Sequence, residues 1–241
     1  MAGPILVIPN PWSTDPSAVL EAPSREHLLG TDRLGRDVLS RLLHGGKNTL
    51  LMATSATFLT VFVGTTLAIF SVATGPIGNY AGLLVLNVLQ SIPGLLIGLI
   101  LVAVFEQSLH HLALAIGLSN VGSYALFARS TLRSLFDREY VVAAQSIGAH
   151  PLRIIIFHVL RVSLPSLVSY GGVIFSYSVL GGTTFGFLGL IGDPSIPEWG
   201  AMLAEGRTVL WQAPWISIIP MILISSLVLT VNLLADTLLR T

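Results

Sequence analysis

The reading of the fold turns on Asn48–Phe105, NTLLMATSATFLTVFVGTTLAIFSVATGPIGNYAGLLVLNVLQSIPGLLIGLILVAVF, a stretch without a charged residue between Lys47 and Glu106. A membrane-spanning helix needs about 20 consecutive apolar residues, each rising about 1.5 Å. The run is long enough for two crossings. Its natural break is Gly75-Pro76-Ile77-Gly78-Asn79, a turn composition. Helices are therefore expected near 49–74 and 80–105. Working outward, three more uncharged stretches cover 107–128, 162–192 and 208–235, which makes five expected spans. The ten-residue alternation of a membrane barrel is absent.

Composition agrees with an all-α integral membrane protein. Of 241 residues, 53% are hydrophobic and 10% charged, with a mean hydropathy of +0.81, whereas soluble domains carry about 25% charged residues. The zero net charge gives no sign of nucleic acid or another polyanion as a partner. The absence of Cys excludes disulfides, thiolate nucleophiles and Cys-ligated metals. No ionisable cluster lies inside the five spans, which weighs against a membrane-embedded transferase or protease. A stand-alone channel or secondary carrier stays open as an alternative reading.

Loop charges set the orientation. Segment 129–161 carries Arg129, Arg133, Arg138, Arg153 and Arg161 against Asp137 and Glu139, and is expected in the cytoplasm. Segment 193–207 carries Asp193, Glu198 and Glu205 against Arg207, and is expected outside. Counting spans backwards places residues 1–47 outside, and counting forwards places Arg240 inside. In segment 1–47, Gly3–Pro9 is too short to span and lacks the basic start of a signal peptide. An external start with no preceding span leads to the expectation that a first transmembrane helix is missing. Thr31-Asp32 and Gly35-Arg36-Asp37 suit the start of an interfacial helix capped by Asp32, with Leu34, Val38, Leu39, Leu42 and Leu43 as its apolar face. Arg36 and Asp37 are expected to pair with each other or with a partner chain.

The cytoplasmic segment reads Glu139-Tyr-Val-Val-Ala143-Ala144-Gln-Ser-Ile-Gly148-Ala-His-Pro151-Leu-Arg153, then runs through His158 and Arg161 to Pro165. Residues 134–147 suit a short helix, Gly148 to Pro151 breaks it, and Pro151 suits the first turn of the next. Small residues at Ala143, Ala144 and Gly148, flanked by arginines, make an elbow on which another protein could dock. The same residues equally suit a basic loop that does no more than set topology.

This segment resembles the EAA loop of ABC importer permeases. The run His27–Arg41 resembles the signature near the start of C-type permeases of the peptide/nickel family. Phe187-Leu188-Gly189-Leu190, Pro194 and Glu198-Trp199-Gly200 resemble that family's external loop. The resemblance implies a type I importer permease fold in which residues 48–240 form the transmembrane domain, and a multi-pass location in the cell (inner or plasma) membrane. It implies a coupling helix at the elbow, with Glu139, Tyr140, Ala143, Ala144, Gly148, Arg153 and His158 engaging a separate ATPase. The implied partners are a homologous permease, two ATP-binding cassette subunits, a solute-binding protein and lipid. ATP and Mg would be bound by the ATPase, with no cofactor in this chain. The implied cargo is a dipeptide, a longer peptide, nickel or a metal chelate. The chain departs from the family where Arg161 and Val162 replace its usual Pro-Asn. Gly46-Lys47-Asn48 fails the phosphate-loop pattern, in keeping with ATP hydrolysis elsewhere.

Further candidates lie outside. Glu106, His110 and His111 carry metal-ligating groups, and Glu106 and His110 stand four apart, but adjacent histidines point about 100° apart on a helix. They form half a metal site at most, and a polar helix cap is the simpler reading. Glu198 is a candidate for contact with cargo or binding protein. Trp199, Trp211 and Trp215 suit interfacial anchors, and Gly182-Thr-Thr-Phe-Gly186 allows close helix contact.

Overall fold

Asp37 fixes where the first long helix begins. Its carboxylate accepts the Ser40 N–H at 2.7 Å, and α1 runs unbroken over Val38–Ala73. The computed structural model describes residues 10–105, 108–191, 193 and 195–240, so Gly3–Pro9, Glu106 and Pro194 lie outside the described residues. The 36 residues of α1 reach about 54 Å, well beyond a hydrocarbon core of about 30 Å. The expected interfacial helix is thus no separate element. Val38, Leu39, Leu42 and Leu43 lie in the first turns of α1, Leu34 lies in the irregular chain before it, and the cap is Asp37 rather than Asp32. Ahead of α1 the described chain is irregular apart from a short turn of 3-10 helix at Pro16–Ala18.

The second span is broken. α2 (Gly75–Ser91) and α3 (Gly94–Val104) meet at a bend of 76°. Pro93 has no N–H for the Leu89 carbonyl, and a residue before proline avoids helical geometry. Ile92 is accordingly extended, at φ −84° and ψ 121°. α4 (Leu109–Phe136) and α5 (Glu139–Ser146) follow. α6 (Pro151–Ile154) joins α7 (Leu160–Phe187) through a π-helical turn at Ile155–Val159, with Pro165 inside α7. α8 (Trp199–Arg207) and α9 (Trp215–Arg240) complete the chain. Four helices are long and apolar enough to span, with α6 and α7 counted as one, and the bent pair supplies a fifth.

Contacts show that the bent pair is a true crossing. The Thr60 hydroxyl donates to the Gly117 carbonyl at 2.7 Å, Gly64 abuts Tyr124, and Arg129 Nε donates to Ser71 Oγ at 3.0 Å. Residue numbers rise together, so α1 and α4 are parallel, and the chain must recross the membrane between them. α7 runs the other way: the Tyr124 hydroxyl donates to the Leu167 carbonyl at 3.3 Å, while Gly182 lies against Met52. α9 runs back, with Trp215 Nε1 donating to Thr31 O at 3.3 Å and Ser169 Oγ donating to Ala235 O at 2.6 Å. Residues 129–161 therefore sit at one end and residues 31–49 and 198–215 at the other, as the arginine distribution implies.

The outer end is locked by charge. Arg41, 1% exposed, bonds to Asp32 and reaches Glu205 through Nη1 at 2.6 Å and Nη2 at 3.0 Å. Arg36 Nε donates to Asp32 at 2.7 Å, and its Nη2 donates to Glu205 at 3.1 Å. Asp37, which also bonds to His27 Nδ1 at 3.0 Å, is not the partner of Arg36. Removing one member of a buried ionic set leaves the others unpaired, at a cost of about 3–5 kcal/mol. Arg41→Met is expected to destabilise the protein by about that amount. Arg33→Met, at an exposed hydrogen bond to Thr208, should change stability by about 0.5 kcal/mol or less. Reversible unfolding in mixed micelles measures both.

Candidate functional site

The elbow at the inner end is a short helix held by one buried side chain. Along α5, Val141 is fully buried in a cluster with Leu132, Ile154, Ile155 and Val159. Ala144 and Ala149 pack against the same cluster. Tyr140, Val142 and Ile147 are exposed, Ile147 by 86%, and Glu139 and Ala143 lie on the open surface. Among the described residues, no hydrogen bond or ion pair holds the side chains of Glu139, Arg153 or His158.

Gly148 ends α5. Its N–H donates to Gln145 O at 2.9 Å, and the Ala149 N–H reaches back to Ala144 O at 3.1 Å, a Schellman pair. Gly148 has φ +87°, and a Cβ there would meet no atom within 4 Å. The demand for glycine at this position is conformational, not spatial. His150 then caps α6, its Nδ1 accepting the Leu152 N–H at 3.3 Å, with Pro151 in the first turn as expected. Arg153 lies on α6 and His158 on the π turn. The seven expected coupling residues therefore share one end of the molecule. Val141 and His150 were not foreseen. The pair His150-Pro151 is a readable cap signal, whereas nothing local marks Val141 as the anchor.

The outer candidates have other tasks. Glu198 is fully buried and caps α8: its carboxylate accepts the Ala201 N–H at 2.9 Å and the Thr49 hydroxyl at 2.8 Å. It is a structural carboxylate, closed off from cargo or binding protein. Burial pushes its pKa up, against the opposing pull of these hydrogen bonds. Trp199 is 7% exposed and donates its indole N–H to Leu42 O at 2.9 Å, so it anchors α8 to α1 and not to lipid. Gly186 and Gly200 make this packing possible, because a Cβ would strike Glu198 Oε2 or Thr183 O, each at 2.1 Å. Trp211 is 97% exposed, and Trp215 is partly buried against Thr31. His111 stacks on Phe105 with ring centroids 5.5 Å apart and meets Ser108 Oγ at 3.1 Å. His110 points elsewhere, lining a cleft of about 390 Å³ with Asn48 and Met52. Among the described residues, no three His, Asp or Glu converge as a metal site.

Comparison with known proteins gives this geometry its family. Residues 51–241 match the model of the binding-protein-dependent transport system inner membrane component. The chain belongs to that family. A dipeptide transport permease of Alkalihalophilus pseudofirmus is 32% identical over 97% of this chain and 77% of its own length. A di/tripeptide transport permease of Pseudomonas aeruginosa is 34% identical, covering 92% and 73%. A glutathione transport permease of Pectobacterium atrosepticum is 32% identical, covering 90% and 72%. Among solved structures, a chain of the inward-facing MetNI methionine ABC transporter superposes with TM-score 0.70 at 18% identity, over 84% of this chain and 96% of that one. That likeness is one of fold.

The permease is thus a multi-pass component of an ABC importer in the inner membrane, not an enzyme. Membership of that family implies a separate ATPase subunit that binds ATP, and a binding protein.

Two outcomes follow from the site. Placing a side chain at φ +87° costs about 1–2 kcal/mol. Gly148→Ala should therefore raise the hydrogen-exchange rate of the Ala149 amide about 5- to 30-fold, with the middle of α4 unchanged. For Glu198, a raised folded pKa means that its stabilising contribution is complete below the ordinary glutamate value and declines as pH rises through the raised one. The melting temperature of the wild type minus that of Glu198→Gln should fall as pH rises across that window.

Proposed function

We propose that this permease forms one half of a translocation pore for short peptides, paired with a homologous permease, and is driven through α5. The observation that carries the drive is the form of the elbow. A capped helix of 8 residues stands at the arginine-rich end with an exposed apolar and small-residue surface, and Val141 alone buries it fully in the bundle. An unpartnered face of Tyr140, Val142, Ala143 and Ile147 beside Glu139 suits a groove in one of two ATP-binding cassette subunits. The fixed Gly148 cap lets force on α5 pass into α6 and α7. The Arg161-Val162 departure does not break that route, since the helix continues through it to Phe187.

The relatives named above for dipeptides, di/tripeptides and glutathione favour a peptide cargo over nickel or a metal chelate. In the intact importer, Glu139→Arg and Ala143→Trp should each lower ATP-driven dipeptide uptake at least about tenfold, the loss of one or two interface contacts each costing more than about 1 kcal/mol. Insertion and binding-protein docking should be retained. Wild-type uptake by both variants in a correctly inserted complex would sink the coupling role of α5.

A further inference from the structure

The break in the second span faces the middle of α4, which as a spanning helix of 28 residues sets it near mid-depth. Gly94 faces Ser119, and Gly122 abuts the backbone of Leu89 and Gln90, so the bend sits against the central turns of α4. Irregular backbone at this depth is tolerated where protein buries it or where it lines a water-filled cavity. Here it is open: Gln90, Ser91, Ile92 and Pro93 are all exposed. Broken helices at mid-depth mark binding sites in transporters for this reason.

Beside the break, α3, α4 and α7 enclose a cleft of about 250 Å³ that carries Ser119, Asn120, Tyr177 and Thr184. Their hydrogen-bonding is biased in one direction. The Ser119 hydroxyl donates to Ile116 O at 2.8 Å, Asn120 Nδ2 to the same carbonyl at 3.1 Å, and the Thr184 hydroxyl to Leu180 O at 2.7 Å. The hydroxyl protons of Ser119 and Thr184 and one N–H of Asn120 are used within their own helices, which leaves the lone pairs of Ser119 Oγ, Asn120 Oδ1 and Thr184 Oγ1 as acceptors beside one remaining Asn120 N–H. Tyr177, 56% exposed, has no hydrogen-bond partner for its hydroxyl among the described residues. Among the described residues, no cation or carboxylate lines the cleft. The opposite kind of surface is seen on α1, where Phe58, Phe62 and Phe70, each more than half exposed, lie at helical spacing with Thr66, whose hydroxyl is satisfied by Phe62 O at 2.8 Å. That face suits lipid.

We propose that the cleft between α3, α4 and α7 is this subunit's contact site for cargo in transit, and that its neutral oxygens accept hydrogen bonds from the backbone N–H and terminal ammonium groups of a short peptide. The inference rests on the peptide-importer reading. Acceptors without charge hold a peptide weakly and without regard to its side chains, and so let it leave.

The chain has no Cys, so in the assembled importer a single introduced cysteine is the one thiol on this subunit, and its labelling is read on this subunit's band after the chains are separated. At Asn120→Cys and Tyr177→Cys, a water-soluble maleimide should react, and saturating alanyl-alanine with the binding protein should slow the reaction. At Thr66→Cys it should not react. The pair Asn120→Leu and Tyr177→Phe should lower alanyl-alanine uptake about tenfold, as expected for two lost hydrogen bonds. Thr66→Val should leave uptake unchanged. Absence of labelling at both cleft positions in every nucleotide state would overturn the site, as would wild-type uptake by the double variant. If the wild-type importer moves no alanyl-alanine while both cleft cysteines label, the peptide reading fails and the water-lined pathway stands.

Discussion

The close parallel seam between α1 and α4 is the constraint on which the rest of the molecule depends. Ala53, Ala56, Thr60, Gly64 and Ala68 are buried along one stripe of α1, and Gly117, Ala125 and Ala128 are buried on α4. Helices in lipid gain little from apolar burial against one another, so close backbone approach and hydrogen bonds across the seam must hold them. The Thr60 to Gly117 bond lies in this seam, and a Cβ on Gly117 would come within 2.9 Å of the Ala56 carbonyl. Because the two helices run the same way, the chain has to return between them. That requirement sends α2–α3 across the membrane and puts the α4–α6 elbow at the opposite end from the α1 cap. The separation of the exposed α5 face from the outer face is therefore a consequence of helix direction.

The two ends are built differently. Outside, Arg36, Arg41, Asp32, Glu198 and Trp199 tie the segment before α1, α1 itself and α8 into one buried polar block. Inside, α5 meets the bundle chiefly through Val141, Ala144 and Ala149, and its exposed face has no internal partner. A block of satisfied ionic groups resists deformation, since each displaced charge would be left desolvated and unpaired. An apolar anchor of one valine and two alanines can be displaced at far smaller cost. Force applied at α5 is thus more readily absorbed at the inner end than at the outer one.

The five crossings were legible because a bilayer imposes long uncharged runs, and the elbow was legible because Gly148 and Pro151 act through local geometry. The bend at Pro93 was missed for a related reason: hydrophobicity continues through residues 80–105, and the periodic signal does not register a lost hydrogen bond. The Arg36 pairing was out of reach, as Glu205 lies 169 residues further along, and proximity in sequence pointed to Asp37. Glu198 and Trp199 read as surface residues from their loop. Their burial depends on Gly45 and Gly46, which stand just over 150 positions earlier and let α8 settle against α1. Cap chemistry within four residues can be read from one segment, but an ionic or glycine contact between distant segments needs the fold first.

Charge placement follows one rule throughout the permease. Ionic groups gather at the ends, where water or a dense set of partners solvates them: the arginine-rich segment 129–161 inside and the Asp32–Arg41–Glu205 block outside. The helices between them carry hydroxyls, amides and a broken backbone instead. A fixed charge at mid-depth would bear a large desolvation cost in the empty pore, and once paired with a charged cargo it would hold that cargo too firmly to release it. Neutral acceptors avoid both problems. On the proposed reading, water satisfies them when the pathway is empty and cargo N–H groups take its place during transit. A conduit needs that balance, and on the proposed reading selection resides in the binding protein while the drive enters through α5 at the other end of the bundle.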